Sequence, residues 1–186
     1  MRCLRGFLLC CALLLAAPAR AVHIADEQVA VEQRDGVYVA RLAVQVPVPP
    51  LLAQTVLTDF EHMPDFIPGL EESRVLARGE RRWHLAQRGM ARFGPFRLGF
   101  ASERLVELLA DGRIVSTGLA GVRKMRSEVR LQATAGGTLL DYRLELLPEQ
   151  WIPASLGVNF MQHELAGQFT ALTQEMERRL QAGRTP

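Results

Sequence analysis

The chain has 186 residues, with 22 Lys and Arg against 20 Asp and Glu, 48% hydrophobic residues and three cysteines. That length suits one domain with a sizeable core. The near-balance of charge leaves no basic stripe of the kind a nucleic-acid phosphate backbone demands.

The N-terminus reads as an export signal. Arg2 and Arg5 form a basic start, Phe7 to Ala17 form an apolar run, and Ala19-Arg20-Ala21 offers small residues around a cleavage point, which predicts a mature chain from near Val22. The run is too short to span a bilayer, which takes about 20 apolar residues. Cys10 and Cys11 follow leucines, so no lipidation signal is formed. Cleavage would remove Cys3, Cys10 and Cys11 together with Arg2, Arg5 and Arg20, leaving 19 basic residues against 20 acidic ones. The expectation is therefore a periplasmic chain without a cysteine, held together by its core rather than by disulfides. Residues 22–186 show no linker or repeat and are read as a single domain.

Past that point, turn signals recur. Asp35-Gly36, Arg78-Gly79, Asp111-Gly112 and Gly136-Gly137 each separate segments of period-two alternation. Val29–Gln33 is expected to pair with Val37–Val46, and Ser73–Ala77 with Arg82–Arg92. Phe96–Leu109 pairs in the same way with Arg113–Leu119, and Lys124–Ala133 with Thr138–Leu147. In FRLGF the residues Phe96, Leu98 and Phe100 share one face. In LLDYRLELL, Leu140, Tyr142, Leu144 and Leu146 oppose Asp141, Arg143 and Glu145. The pattern predicts an antiparallel sheet of seven or eight strands with one wet and one dry face.

A cover for the dry face follows Pro153. Val158, Met161, Leu165, Phe169, Leu172, Met176 and Leu180 recur at helical spacing, predicting one long amphipathic helix. Between the first strands and the rest stands VLTDFEHMPDFIPGLEESRVL. Leu51–Phe60 reads as a short helix, and the segment to Leu70 as a turn broken by Pro64 and Pro68, with Ser73 opening the next strand. An α+β order of this kind leaves a cavity between sheet and helix, with the proline- and aromatic-rich stretch as its lid.

Those residues carry a resemblance. Val56, Leu57, Asp59 and Phe60, then Pro64-x-Phe66-x-Pro68 and the strand SRVL, resemble the START-like (SRPBCC) superfamily of polyketide cyclases/dehydrases and lipid-transport proteins. The likeness extends through GPFRLGF to the closing helix and is nearest the coenzyme Q-binding START-like branch. It implies the helix-grip fold, a curved sheet around a long C-terminal helix, and a cavity for a lipid, quinone or polyketide-like ligand. The typical branch acts inside cells or mitochondria, whereas this chain carries an export signal.

The candidate cavity residues are Phe60, Phe66, Trp83, Phe96, Phe100, Tyr142, Phe160 and His163, with Phe93 beside them. Each aromatic either lines a pocket or fills the core. His163-Glu164 begins a HExxH pattern, but residue 167 is glycine, so the second zinc ligand is missing. His163 then either bonds a ligand carbonyl or is an ordinary surface histidine. No metal, cofactor or nucleophile motif is found, and Arg88 and Arg104 read as solvated strand arginines. Asp59 reads as a structural residue of the short-helix turn. Gly157 and Gly167 stand out inside a helix, where each costs about 1 kcal/mol relative to alanine. They suggest close helix–sheet packing or room for a ligand.

Three functions remain open at this stage. The first is non-catalytic carriage of a hydrophobic small molecule, with transient membrane contact and no nucleic acid. The second is a cyclase- or dehydratase-like enzyme using the same cavity. The third is an interaction module whose core is filled by its own side chains.

Overall fold

The computed structural model describes residues 22–149 and 153–183. The signal-peptide reading of residues 1–21 and Trp151 lie outside them, as does the side chain of Phe96. Among the described residues no helix is long and apolar enough to cross a membrane.

Eight antiparallel strands form one curved sheet, in the helix-grip arrangement. In chain order they are β1 (Ala30–Arg34), β2 (Val37–Val46), β3 (Leu70–Arg78), β4 (Arg82–Phe93), β5 (Phe96–Leu108), β6 (Ile114–Ala120), β7 (Lys124–Thr134) and β8 (Gly137–Leu147). Helix α1 spans Pro50–Leu57, a 3-10 helix spans Phe60–Asp65, and helix α2 spans Ala154–Ala182. The 29 residues of α2 give a rod of about 43 Å.

Local chemistry accounts for the elements. Asp35 and Gly36 both adopt positive φ, 50° and 82°, which is the two-residue hairpin turn that matches strand twist. Pro47, directly after Val46, ends β2 because proline cannot extend the ladder, and Pro50 opens α1 at a position where its missing N–H is harmless. On β2, Tyr38, Ala40, Leu42, Val44 and Val46 are buried, while Arg41, Ala43 and Gln45 are exposed.

Two features go beyond a simple meander. The sheet order is β1-β2-β8-β7-β6-β5-β4-β3, so β2 pairs with β8 through Tyr38↔Leu146 to Val46↔Thr138. Helix α1 and the 3-10 helix therefore carry the chain from one flank of the sheet to β3 at its far edge. The second feature is an arm. β3 pairs with β4 no further than Gly89, and β6 with β5 no further than Glu103. Met90–Phe93 thus pair only with Phe96–Gly99 around Gly94-Pro95, and the following Phe100–Ser102 pair with β4 alone. The arm rests on α2: the Arg92 backbone N–H donates to Glu164 Oε1 at 3.3 Å, and the Phe93 ring lies 6.3 Å from Phe160 and 5.6 Å from His163.

Helix α2 buries Met161, Leu165, Phe169, Leu172 and Met176 against the sheet, the stripe its spacing predicts. Its two glycines differ. A Cβ on Gly157 would stand 2.1 Å from Tyr38 Oη, whereas one on Gly167 would meet nothing within 4 Å. Gly157 is the point where helix and β2 touch. Overpacking there costs roughly 1–3 kcal/mol, of which about 1 is recovered from better helix propensity. Gly157→Ala should therefore destabilise by up to about 2 kcal/mol, while Gly167→Ala should stabilise by up to about 1 kcal/mol. Chemical denaturation of the two variants checks the opposite signs.

Candidate functional site

A cavity of about 260 Å³ lies between the concave face of the sheet and α2. Leu57, Phe60, Met63, Ile67 and Pro68, from α1 and the segment after it, wall one side. The proline-broken stretch thus closes one end of the void. Phe169 and Leu172 come from α2, and Val106, Ile114 and Val129 from the sheet floor. Phe100 from the arm completes the apolar lining and is 37% exposed, next to Leu98 at 44%.

Polar side chains share this floor. Alternation places Gln87 of β4, Ser102 and Arg104 of β5, Ser116 of β6, Ser127 of β7 and Tyr142 of β8 on the inward face. Register lines them up across the sheet: Gln87 faces Ser102, and Ser116 faces Ser127. Gln87 is satisfied by donating to Ser73 Oγ at 2.9 Å. Arg104 is not. Its Nε is buried without a hydrogen-bond partner, and among the described residues no carboxylate pairs with it. Burial pulls its guanidinium below its ordinary pKa, offset in part by Tyr142. The Tyr142 hydroxyl is pushed by burial up to about 12, so it is a neutral donor at physiological pH. Its ring packs on Phe169 at a centroid distance of 4.8 Å. Ser116 is 5% exposed and its Oγ also lacks a partner.

Arg104 corrects the reading of both strand arginines as solvated. Arg88 fits it: exposed, it binds Glu72 and, at 3.2 Å, Glu71. Arg104 points the other way because β5 keeps it in phase with Phe100 and Val106.

The other predicted residues divide. Phe60, Phe100 and Tyr142 stand on the cavity wall. Trp83 lies edge-on to Phe60 at 5.5 Å, one layer behind it. Phe66 borders a surface hollow with Asp59, His62 and Arg179 instead. Phe160 and His163 gather around Phe93 under the arm. His163 is exposed and its Nδ1 pairs with Asp26 Oδ2 at 3.1 Å, so both its position and its partner are those of a surface histidine. Glu164, its neighbour, reaches the cavity wall, and burial raises its carboxyl above the usual range. Sequence reasoning missed Glu164 as a wall residue because it was read only as part of HExxH. No cluster of metal-ligating groups occurs among the described residues.

A larger hollow of about 510 Å³ lies on the convex face over β2, β7 and β8. It is lined mainly by charged residues and bounded by ion pairs such as Arg143–Glu145 and Arg130–Glu128. Exposed pairs of that kind contribute little to stability. The void between sheet and α2, with its largely apolar side-chain lining, is the better candidate site despite its smaller volume.

The model of the family described as polyketide cyclase / dehydrase and lipid transport matches residues 38–180. The chain belongs to this family. Among solved structures, this polyketide cyclase/dehydrase and lipid-transport member is similar to the Zhui aromatase/cyclase from Streptomyces sp. R1128, with a TM-score of 0.69 and 17% identity over 81% of this chain and 99% of that one. It is similar to a START superfamily protein from Mycobacterium smegmatis at a TM-score of 0.66, with 16% identity over 76% and 98%. A STAR-related lipid transfer protein from Xanthomonas axonopodis gives 0.58, with 15% identity over 81% and 99%. These likenesses establish the START-like fold and nothing finer. No match was found among curated proteins.

Proposed function

We propose that this chain binds a hydrophobic small molecule in the cavity between sheet and α2, and acts as a carrier in the periplasm. The observation that carries the reading is the void itself, walled by Phe60, Met63, Val106, Phe169 and Leu172 and left unfilled by the chain's own side chains. Burial of apolar ligand surface, at about 25 cal/mol per Å², supplies affinity without a catalytic group. The void also weighs against a filled-core module. A volume of about 260 Å³ is roughly nine times the ~30 Å³ share of one water. It suits a small amphiphile or a single ring system. A whole phospholipid, or a quinone with its isoprenoid tail, would have to leave its tail outside. Leu98 and Phe100, exposed on the arm next to the paired Arg92 and Arg97, supply a surface for transient membrane contact during loading.

Native mass spectrometry of protein purified gently from its host, followed by solvent extraction, tests the proposal. A stoichiometric apolar species is expected, and the intact mass should correspond to a chain starting near Val22. An apo mass, with no thermal shift against lipids, quinones and aromatic acids, would overturn it.

A cyclase- or dehydratase-like activity is favoured by one observation, the half-buried Glu164 on the wall, whose carboxyl burial raises above its ordinary pKa. It is supported too by likeness to a protein named an aromatase/cyclase. The extraction separates the two readings: a carrier releases its ligand unchanged, whereas an enzyme converts added ligand, and Glu164→Gln abolishes that conversion.

A further inference from the structure

The cavity is lopsided. One part is apolar, and the floor under it presents hydrogen-bond donors that nothing in the chain satisfies. Arg104 of β5 keeps Nε buried and unpartnered, and Ser116 of β6 keeps a buried, unpartnered Oγ. Tyr142 of β8, unlike these two, already has a partner within the chain: its neutral hydroxyl is hydrogen-bonded to Ser127 of β7. An arginine stays charged at any physiological pH, so burying it unpaired costs several kcal/mol unless an anion arrives. Surface arginines here illustrate the contrast: Arg88, Arg113, Arg178 and Arg179 all have carboxylate partners. The single carboxylate on the cavity wall, Glu164, makes no ion pair with Arg104 and instead accepts the Arg92 backbone N–H. The site is therefore rich in donors and poor in acceptors.

We propose that the cavity is selective for an amphiphile with an anionic head, a carboxylate or an equivalent oxyanion, held by Arg104 with Ser116 and Tyr142. The apolar portion lies against Phe60, Phe100 and Phe169. The planar guanidinium fork matches a carboxylate's two oxygens, and such charge-assisted bonds strengthen in a space without water. The inference rests on the proposed binding function and names the chemical class of its ligand.

The test uses matched pairs: octanoate against 1-octanol, and 2-naphthoate against 2-naphthol, each titrated calorimetrically into the full mature protein. At least one acid should bind tenfold or more tightly than its alcohol. Arg104→Gln should remove that preference by weakening the acid at least tenfold while sparing the alcohol. Arg34→Gln, an exposed arginine on β1 outside the cavity, should leave both unchanged. Without ligand, Arg104→Met should melt at a higher temperature than wild type, because an unpaired buried cation is gone. This last readout stands even if Arg104→Gln proves hard to fold. Equal binding of acid and alcohol, or an acid preference that survives Arg104→Gln, would overturn the anion inference and leave the carrier reading intact. Failure of all four ligands to bind would overturn both.

Discussion

Phe169→Ala is expected to be the most damaging single truncation near the site, costing about 3–5 kcal/mol. Phe169 is 4% exposed on α2, it packs on Tyr142 at 4.8 Å, and its ring forms part of the cavity wall. Removing the ring loses its transfer free energy and enlarges a void that is already present, so the neighbours have little reason to collapse into it. The same change should alter selectivity in a predictable sense. The enlarged cavity should favour longer acids, so decanoate should gain on octanoate in the variant relative to wild type. Urea unfolding measures the first effect and paired calorimetric titrations the second. A loss of stability below about 1 kcal/mol would mean that Phe169 is not packed as described. An unchanged chain-length preference would mean that the void beside it is not where the ligand's tail lies.

Much of the fold was legible because its signals are local. Each predicted hairpin needed only a turn such as Asp35-Gly36 and alternation on both sides, and α2 needed only the recurrence from Met161 to Met176. The β2–β8 pairing left no local mark, since strands about a hundred residues apart carry nothing in their own patterns that names the partner. The arm was also missed. Its turn, Gly94-Pro95 between two phenylalanines, resembles a break between strands more than a hairpin. β3 was expected from Ser73 but begins at Leu70, because Gly69 at positive φ turns the chain early enough for Leu70 to meet Gly89. The polar floor was half legible. Gln87, Ser102, Arg104, Ser116 and Ser127 each fall in the inward phase of a strand whose other inward residues are largely apolar. That conflict marks a site on each strand separately. Their convergence depends on the register between strands, which no single strand specifies. The facing of Phe66 and Phe160 was the least accessible, because a proline-broken 3-10 turn and the helix under the arm answer to tertiary contacts rather than to a period.

Asp59→Asn tests what holds the lid segment to α2. Asp59 follows α1 and accepts from His62 Nδ1 at 2.7 Å and from Arg179 Nη2 of α2 at 2.6 Å. Arg179 also donates to Glu175 at 2.6 Å, so one guanidinium joins the lid to the helix. Burial alone would raise the Asp59 carboxyl, but the hydrogen bonds from His62 and Arg179 and their charges outweigh it and hold its pKa below the ordinary value. The group is partly accessible, which argues for less than the loss expected from a fully buried pair, and about 2–3 kcal/mol at neutral pH is the expected cost. A depressed carboxylate stabilises the fold above its unfolded pKa of about 3.9, and that contribution disappears as pH falls through the folded value. The gap between wild type and Asp59→Asn should therefore be full at pH 6 and should narrow as pH falls below the unfolded value of about 3.9 towards the lower folded one. His62 acts in the opposite direction. The Asp59 hydrogen bond and charge raise it, so its contribution is full below about 6.5 and fades as pH rises through the folded value. The variant, lacking the carboxylate, should lose this alkaline limb as well. Stability curves from pH 2 to 9 for both proteins decide the matter. A gap that stays constant across that range would mean that Asp59 acts through packing rather than charge, and that the lid is not tied to α2 by this ion network.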